Sequence, residues 1–151
     1  MRILVDGDGC PVIREILNTA EGLEVIVFVD VNHAAGDPRA KWIIADQGRD
    51  SVDLKLVNAA QRDDIVVTQD YALAALALAK GARCLHQDGW RYTNENSDGL
   101  LANRHESARL RRAGKRTRGP KKRSAQQDTD FVLGLKMLLN ELELLQKQEI
   151  L

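Results

Sequence analysis

Four short apolar runs, each followed by turn residues and separated by helical periodicity, constrain this chain more than any other feature. Ile3-Leu4-Val5 stops at Asp6-Gly7-Asp8-Gly9, and Ile65-Val66-Val67-Thr68 stops at Gln69-Asp70. Glu24–Val29 and Ala82–Leu85 have the same form. Runs of this length, rich in β-branched residues, read as buried strands. Between them, Val12, Ile13, Ile16 and Leu17 recur at helical spacing after Pro11, and Gly22 can end that helix. Asp50–Ala60 and Tyr71–Lys80 read as further helices, the second stopped by Gly81. The stretch 32–49 does not declare itself as helix or strand. It carries Gly36, Pro38, Gly48 and one apolar cluster, Trp42-Ile43-Ile44. The alternation predicts an α/β domain with a mostly parallel sheet.

With 151 residues the chain has room for one domain, and 44% hydrophobic residues argue against wholesale disorder. Its apolar stretches are too short or too interrupted for a membrane-spanning helix. Acids in MRILVDGDGC replace the apolar run of a secretory signal, and Cys10 and Cys84 make neither a disulfide framework nor a zinc site. These features predict a cytoplasmic protein with reduced thiols. His33, His86 and His105 match no metal-ligand spacing. Cys10, at a helix start, is a candidate for a lowered pKa, but no histidine partner follows at a fixed spacing.

The zero net charge hides a split. Residues 104–123 hold ten basic residues and one acid, Glu106, which leaves 12 basic and 21 acidic residues elsewhere, a balance of −9. An acidic body with one basic strip predicts an anionic partner. Arg111, Arg112, Lys115, Arg116, Arg118, Lys121 and Lys122 are the candidate phosphate contacts, and a solvated linker is the alternative. Aromatic residues make up 4% of the chain, so the sequence offers no stacking platform for single strands, and Trp90 and Tyr92 read as loop packing. Asp98–Arg112 has helical character. Over Thr129–Gln148, Phe131, Leu135, Leu138, Leu142 and Leu145 form an amphipathic stripe, expected to lie on the domain or on a second copy of the chain.

In open parallel sheets, ligands collect at the carboxyl ends of the strands. Asp6 and Asp8 follow the first strand there, Asp70 follows Thr68 after the third, and Asp50 and Asp53 open the helix between. Carboxylates brought together repel one another, and Mg²⁺ or Mn²⁺ relieves that repulsion through oxygen ligands. Such an ion can bind a phosphate oxygen and activate water, so Asp6, Asp8, Asp53 and Asp70 are candidate parts for phosphodiester hydrolysis. Each also has a local reading. Asp6 or Asp8 can cap the helix near Pro11, Asp50 and Asp53 can favour the start of theirs, and Asp70 can cap the helix that follows it.

Two family patterns bear on these acids. The strand-Asp-x-Asp opening and the strand ending in Thr68 are similar to the first two motifs of haloacid dehalogenase phosphatases. The lysine and later acid pair of that family do not follow in order, since Asp63-Asp64 precedes Thr68. The ordered set ILVDGDGCPV, DSVDLKLV, DDIVVTQDYALA and RRAGKRTRGPKKR resembles the YaiI/YqxD family of small bacterial proteins across most of the chain. Gly7-Asp8-Gly9 stands where members of that family usually read Ala-Asp-Ala, which keeps both carboxylates.

That resemblance implies a PIN-like domain, a three-layer α/β/α fold whose characterised members are Mg²⁺- or Mn²⁺-dependent nucleases. Carried over by position, the metal-holding acids are Asp6, Asp53 and Asp70, with Asp8 beside them and Thr68 and Asp50 as auxiliary residues. The expectation is one domain: an α/β core over 1–103, a basic arm over 104–124 and a C-terminal helix over 125–151. Its expected activity is metal-dependent cleavage of RNA, with the arm on the phosphate backbone and with pairing of two copies through the last helix a further option. The alternatives are a nucleic-acid-binding module without catalysis and a phosphatase of the dehalogenase type.

Overall fold

The computed structural model describes residues 1–32, 36–46, 51–96 and 122–150. Six strands form one sheet: β1 (Arg2–Asp6), β2 (Glu24–Asp30), β3 (Lys41–Ala45), β4 (Ile65–Val67), β5 (Arg83–Leu85) and β6 (Arg91–Tyr92). Their order is β3-β2-β1-β4-β5-β6. The first five run parallel, and β6 closes one edge antiparallel to β5, with Cys84 opposite Tyr92. The chain moves outward from β1 through β2 to β3, then returns to the other side of β1 for β4 and β5. The strand order therefore reverses between β1 and β4, which lie side by side with Val5 opposite Val67.

Helices cover both faces: α1 (Ile13–Thr19), α2 (Ser51–Ala59), α3 (Tyr71–Ala79) and the long α4 (Ala125–Ile150). Alternation along β1 explains the layers, because successive side chains point to opposite faces. Ile3 and Val5 join the cluster made by Ile16 of α1 and by Phe131, Leu135 and Leu138 of α4. Leu4 joins the opposite cluster, with Leu56 of α2 and Leu73 and Ala77 of α3. The result is the α/β domain that the apolar runs predict, in the three-layer α/β/α arrangement that the family resemblance implies.

Three details differ from the sequence reading. The undeclared stretch contains β3, the outermost parallel strand, whose Ile44 is exposed. The two-residue strand β6 was not expected. The apolar stripe of α4 ends at Leu142, and Leu145 is exposed along with Leu133, Met137 and Leu144. At 1.5 Å per residue a helix of 26 residues spans roughly 39 Å, more than strands of five to seven residues can cover.

The turn between β5 and β6 lies directly on α4. Gly89 adopts φ +94°, and a Cβ there would come within 2.2 Å of the Asp130 carbonyl oxygen. A Cβ on Gly134 would lie 2.1 Å from the Gly89 carbonyl oxygen. Two glycines thus let turn and helix meet backbone to backbone.

Candidate functional site

The reversal point between β1 and β4 is where an open parallel sheet leaves a crevice at its carboxyl edge. Asp6, the last residue of β1, stands there. Its Oδ2 accepts a hydrogen bond of 2.9 Å from the Thr68 hydroxyl, just beyond β4. The same Thr68 oxygen accepts the Asp70 backbone N–H at 3.0 Å. Thr68 is almost fully buried, and its carbonyl accepts the Tyr92 hydroxyl at 3.0 Å. A neutral hydroxyl network therefore fixes the two acidic positions relative to one another.

Electrostatically the site is strained toward negative charge. Burial pushes the Asp6 carboxyl up to about 6, and the neighbouring carboxylates of Asp53, Asp70 and Asp8 push the same way. Only the Thr68 hydrogen bond pulls it down. So the structure brings Asp53, in the first turn of α2, together with Asp70 and Asp8 into electrical reach of Asp6.

The capping alternatives divide. Asp70 does cap α3, its Oδ1 accepting from the N–H groups of Ala72 and Leu73 at 2.9 and 3.3 Å. Asp6 and Asp8 do not cap α1, whose N-cap is Val12 with no side-chain hydrogen bond. Asp8 Oδ1 instead accepts the Asp30 N–H at the end of β2, 3.2 Å away. Among the described residues, no three His, Cys, Asp or Glu side chains stand close enough to hold one metal ion between them. Asp50 lies outside the described residues, as do Arg111, Arg112, Lys115, Arg116, Arg118 and Lys121, together with His33, His105 and the helix expected over 98–112. Lys122 is described and exposed.

The lowered-pKa alternative for Cys10 does not hold. Burial raises Cys10 to about 11 and Cys84 to about 12, so both are held as thiols, and the start of α1 does not activate Cys10.

The sequence reading also missed a structured border to the site. His86, Trp90 and Tyr92 form one aromatic cluster, with His86 and Trp90 stacked at 4.4 Å and Trp90 and Tyr92 tilted at 4.7 Å. Arg123, the last residue of the basic run, is clamped to this turn. Its Nη1 pairs with Asp88 and its Nη2 donates to the Gln87 carbonyl, each at 2.7 Å, while Nε pairs with Asp128 at 2.7 Å. The dense GWRY segment is the one signal that could have drawn attention to the cluster. Nothing local to Arg123 distinguishes it from its basic neighbours.

Fold and site together define a class: a three-layer α/β/α protein with an acidic carboxyl edge at the reversal of its parallel sheet. The chain belongs to the YaiI/YqxD family. It matches the family model described as Uncharacterized BCR, YaiI/YqxD family, over residues 4–141. A UPF0178 protein of Exiguobacterium sibiricum is 46% identical over 141 residues, covering 93% of this chain and 98% of that one. A UPF0178 protein of Natranaerobius thermophilus is 47% identical over 146 residues, covering 95% and 99%. One from Bacillus thuringiensis is 43% identical, covering 87% and 93%. No solved structure matches the chain. No described helix is long and apolar enough to cross a membrane.

Proposed function

We propose that this protein is a divalent-metal-dependent nuclease that hydrolyses phosphodiester bonds of RNA at the Asp6 site, in the cytoplasm. The observation that carries this reading is the placement of Asp6. It stands half-buried at the sheet's reversal point, where burial and the charges of Asp53, Asp70 and Asp8 all raise its pKa. A fold retains such repulsion most readily where a bound cation relieves it.

The donor set fits Mg²⁺ or Mn²⁺, since it offers oxygen only. Asp6 and Asp70 would hold it, with Asp53 reaching it through its waters. When bound, the ion supplies a Lewis acid for a phosphate oxygen and a lowered pKa for water. The chain supplies the rest. Thr68 fixes Asp6 by one carboxylate oxygen and leaves the other for a ligand. Asp70, anchored by its cap through Oδ1, keeps Oδ2. Asp8 and Asp53 orient waters, and the basic strip holds the phosphate backbone.

The cap role of Asp70 favours a second reading, a nucleic-acid-binding module without chemistry, because a cap alone accounts for that residue. Incubation with labelled single-stranded RNA and DNA, with Mn²⁺ or with chelator, separates the two. Metal-dependent cleavage that falls at least 100-fold in Asp6→Asn is the expected result. Binding without cleavage would establish the module. Turnover of p-nitrophenyl phosphate through an aspartyl-phosphate at Asp6 would make the protein a phosphatase.

A further inference from the structure

We infer that the outer face of Trp90 is a stacking site for an unpaired base of single-stranded RNA, at the rim of the acidic edge. The inference rests on the nucleic-acid reading above and adds the part of the substrate that is recognised.

Geometry comes first. His86 covers one face of the indole, at 4.4 Å and an interplanar angle of 11°. The centroid separations, with Tyr92 4.7 Å from Trp90 and 6.1 Å from His86, make nearly a right angle at Trp90. Tyr92 therefore sits to the side of the His86–Trp90 stack, and among the described residues no ring covers the second face of the indole. Trp90 is 37% exposed, although it belongs to a turn fixed on every side.

That fixity matters because a platform that is already ordered loses little entropy when a base stacks on it. The Trp90 carbonyl accepts the His86 N–H at 2.8 Å, and the Gly89 N–H donates to the His86 carbonyl at 2.9 Å. Arg123 ties Gln87 and Asp88 to the start of α4. His86 Nδ1 accepts the Asp88 N–H at 3.0 Å, and burial holds the imidazole below its ordinary pKa, so the backing ring is neutral at pH 7.

Position follows from a short run of contacts. Trp90 touches Tyr92, the Tyr92 hydroxyl donates to the Thr68 carbonyl, and the Thr68 hydroxyl donates to Asp6. On the other side, exposed Lys122 is the residue next to the Arg123 clamp, which brings a cation of the basic strip to the same turn. An acidic edge, a flat aromatic face and a cation in sequence suit a strand whose backbone is neutralised while one base is held by its π-face. Double-stranded RNA keeps its bases stacked on one another and offers no such face.

The test uses the full chain carrying Trp42→Phe, so that Trp90 is its one tryptophan. It is titrated in chelator at low salt with a fluorescein-labelled ten-nucleotide oligoadenylate, and with an abasic phosphodiester oligomer of equal length. Binding is read by anisotropy of the label, and stacking by quenching of Trp90 emission with unlabelled oligomers. The expected result is quenching by oligoadenylate and none by the abasic oligomer. In the parent chain, Trp90→Ala should weaken oligoadenylate binding roughly 10-fold, with Trp90→Phe retaining most of it and abasic binding unchanged. Oligoadenylate binding without quenching, or with full affinity in Trp90→Ala, would overturn this inference and leave the proposed function standing. No binding of either oligomer would overturn both.

Discussion

Asp6 carries the sharpest consequence of the site at the scale of a single residue. Its carboxyl is held up near 6 against an ordinary 3.8, so the folded protein keeps a proton that the unfolded chain has already released over that interval. Stability must then fall as pH rises from about 4 to about 6 and stay lowered above it, because the folded state binds the extra proton. Asp6→Asn removes the charge and keeps an oxygen to accept from Thr68. In chelator at pH 8 the variant should unfold at higher urea, with a gain on the order of 2–3 kcal/mol that vanishes near pH 4. Urea titrations of both proteins at the two pH values check this, and a variant less stable than the parent at pH 8 would show the charge to be compensated. This residue was legible in the sequence because a strand that ends in Asp-Gly-Asp-Gly places its acid at the carboxyl edge. Its partnership with Thr68 was only half legible. The strand register that sets Asp6 beside Thr68 is a property of the sheet, and the spacing of 62 residues between them carries no signal of its own.

At the scale of elements, the strands with near-continuous apolar runs were readable and the edge strands were not. β1, β2 and β4 are buried on both faces, as their composition demands. β3 has only Ala45 buried, and β6 is two residues long, so neither carries the pattern by which strands are recognised. The turn from β5 to β6 was hidden for another reason. What fixes it is Arg123, 35 residues from Asp88, inside a charge run that reads as solvated. Arg123→Gln should break that clamp. Loss of three short charge-assisted contacts at a part-buried guanidinium should lower stability by about 2–3 kcal/mol. Hydrogen exchange at the Gly89 amide, which bonds within the turn, should accelerate well beyond the change in the strand amides of β1. Uniform acceleration everywhere would mean that the clamp supports only the whole fold.

Across the whole molecule, charge and chain order act together. The excess of 21 acids over 12 bases outside residues 104–123 repels a polyanion, so the proposed nucleic-acid contact falls to the strip. Changing Lys115, Arg116, Lys121 and Lys122 together to Ala should weaken binding to any single strand and flatten log affinity against log salt by up to about three units. Anisotropy titrations over a salt series measure the slopes, and equal slopes would reduce the strip to a linker. The contact of Gly89 with Gly134 adds a constraint of a different kind. A methyl group at Gly89 would meet the Asp130 carbonyl and one at Gly134 the Gly89 carbonyl, so either one pries open the same joint. Their effects on stability should be strongly subadditive: with the joint already parted by Gly134→Ala, adding Gly89→Ala should cost little beyond the roughly 1 kcal/mol of its positive φ. A double-mutant cycle measures that coupling. The two positions, 45 residues apart in the chain, thus behave as a single site in the energetics of variation, and neither is free to drift without the other.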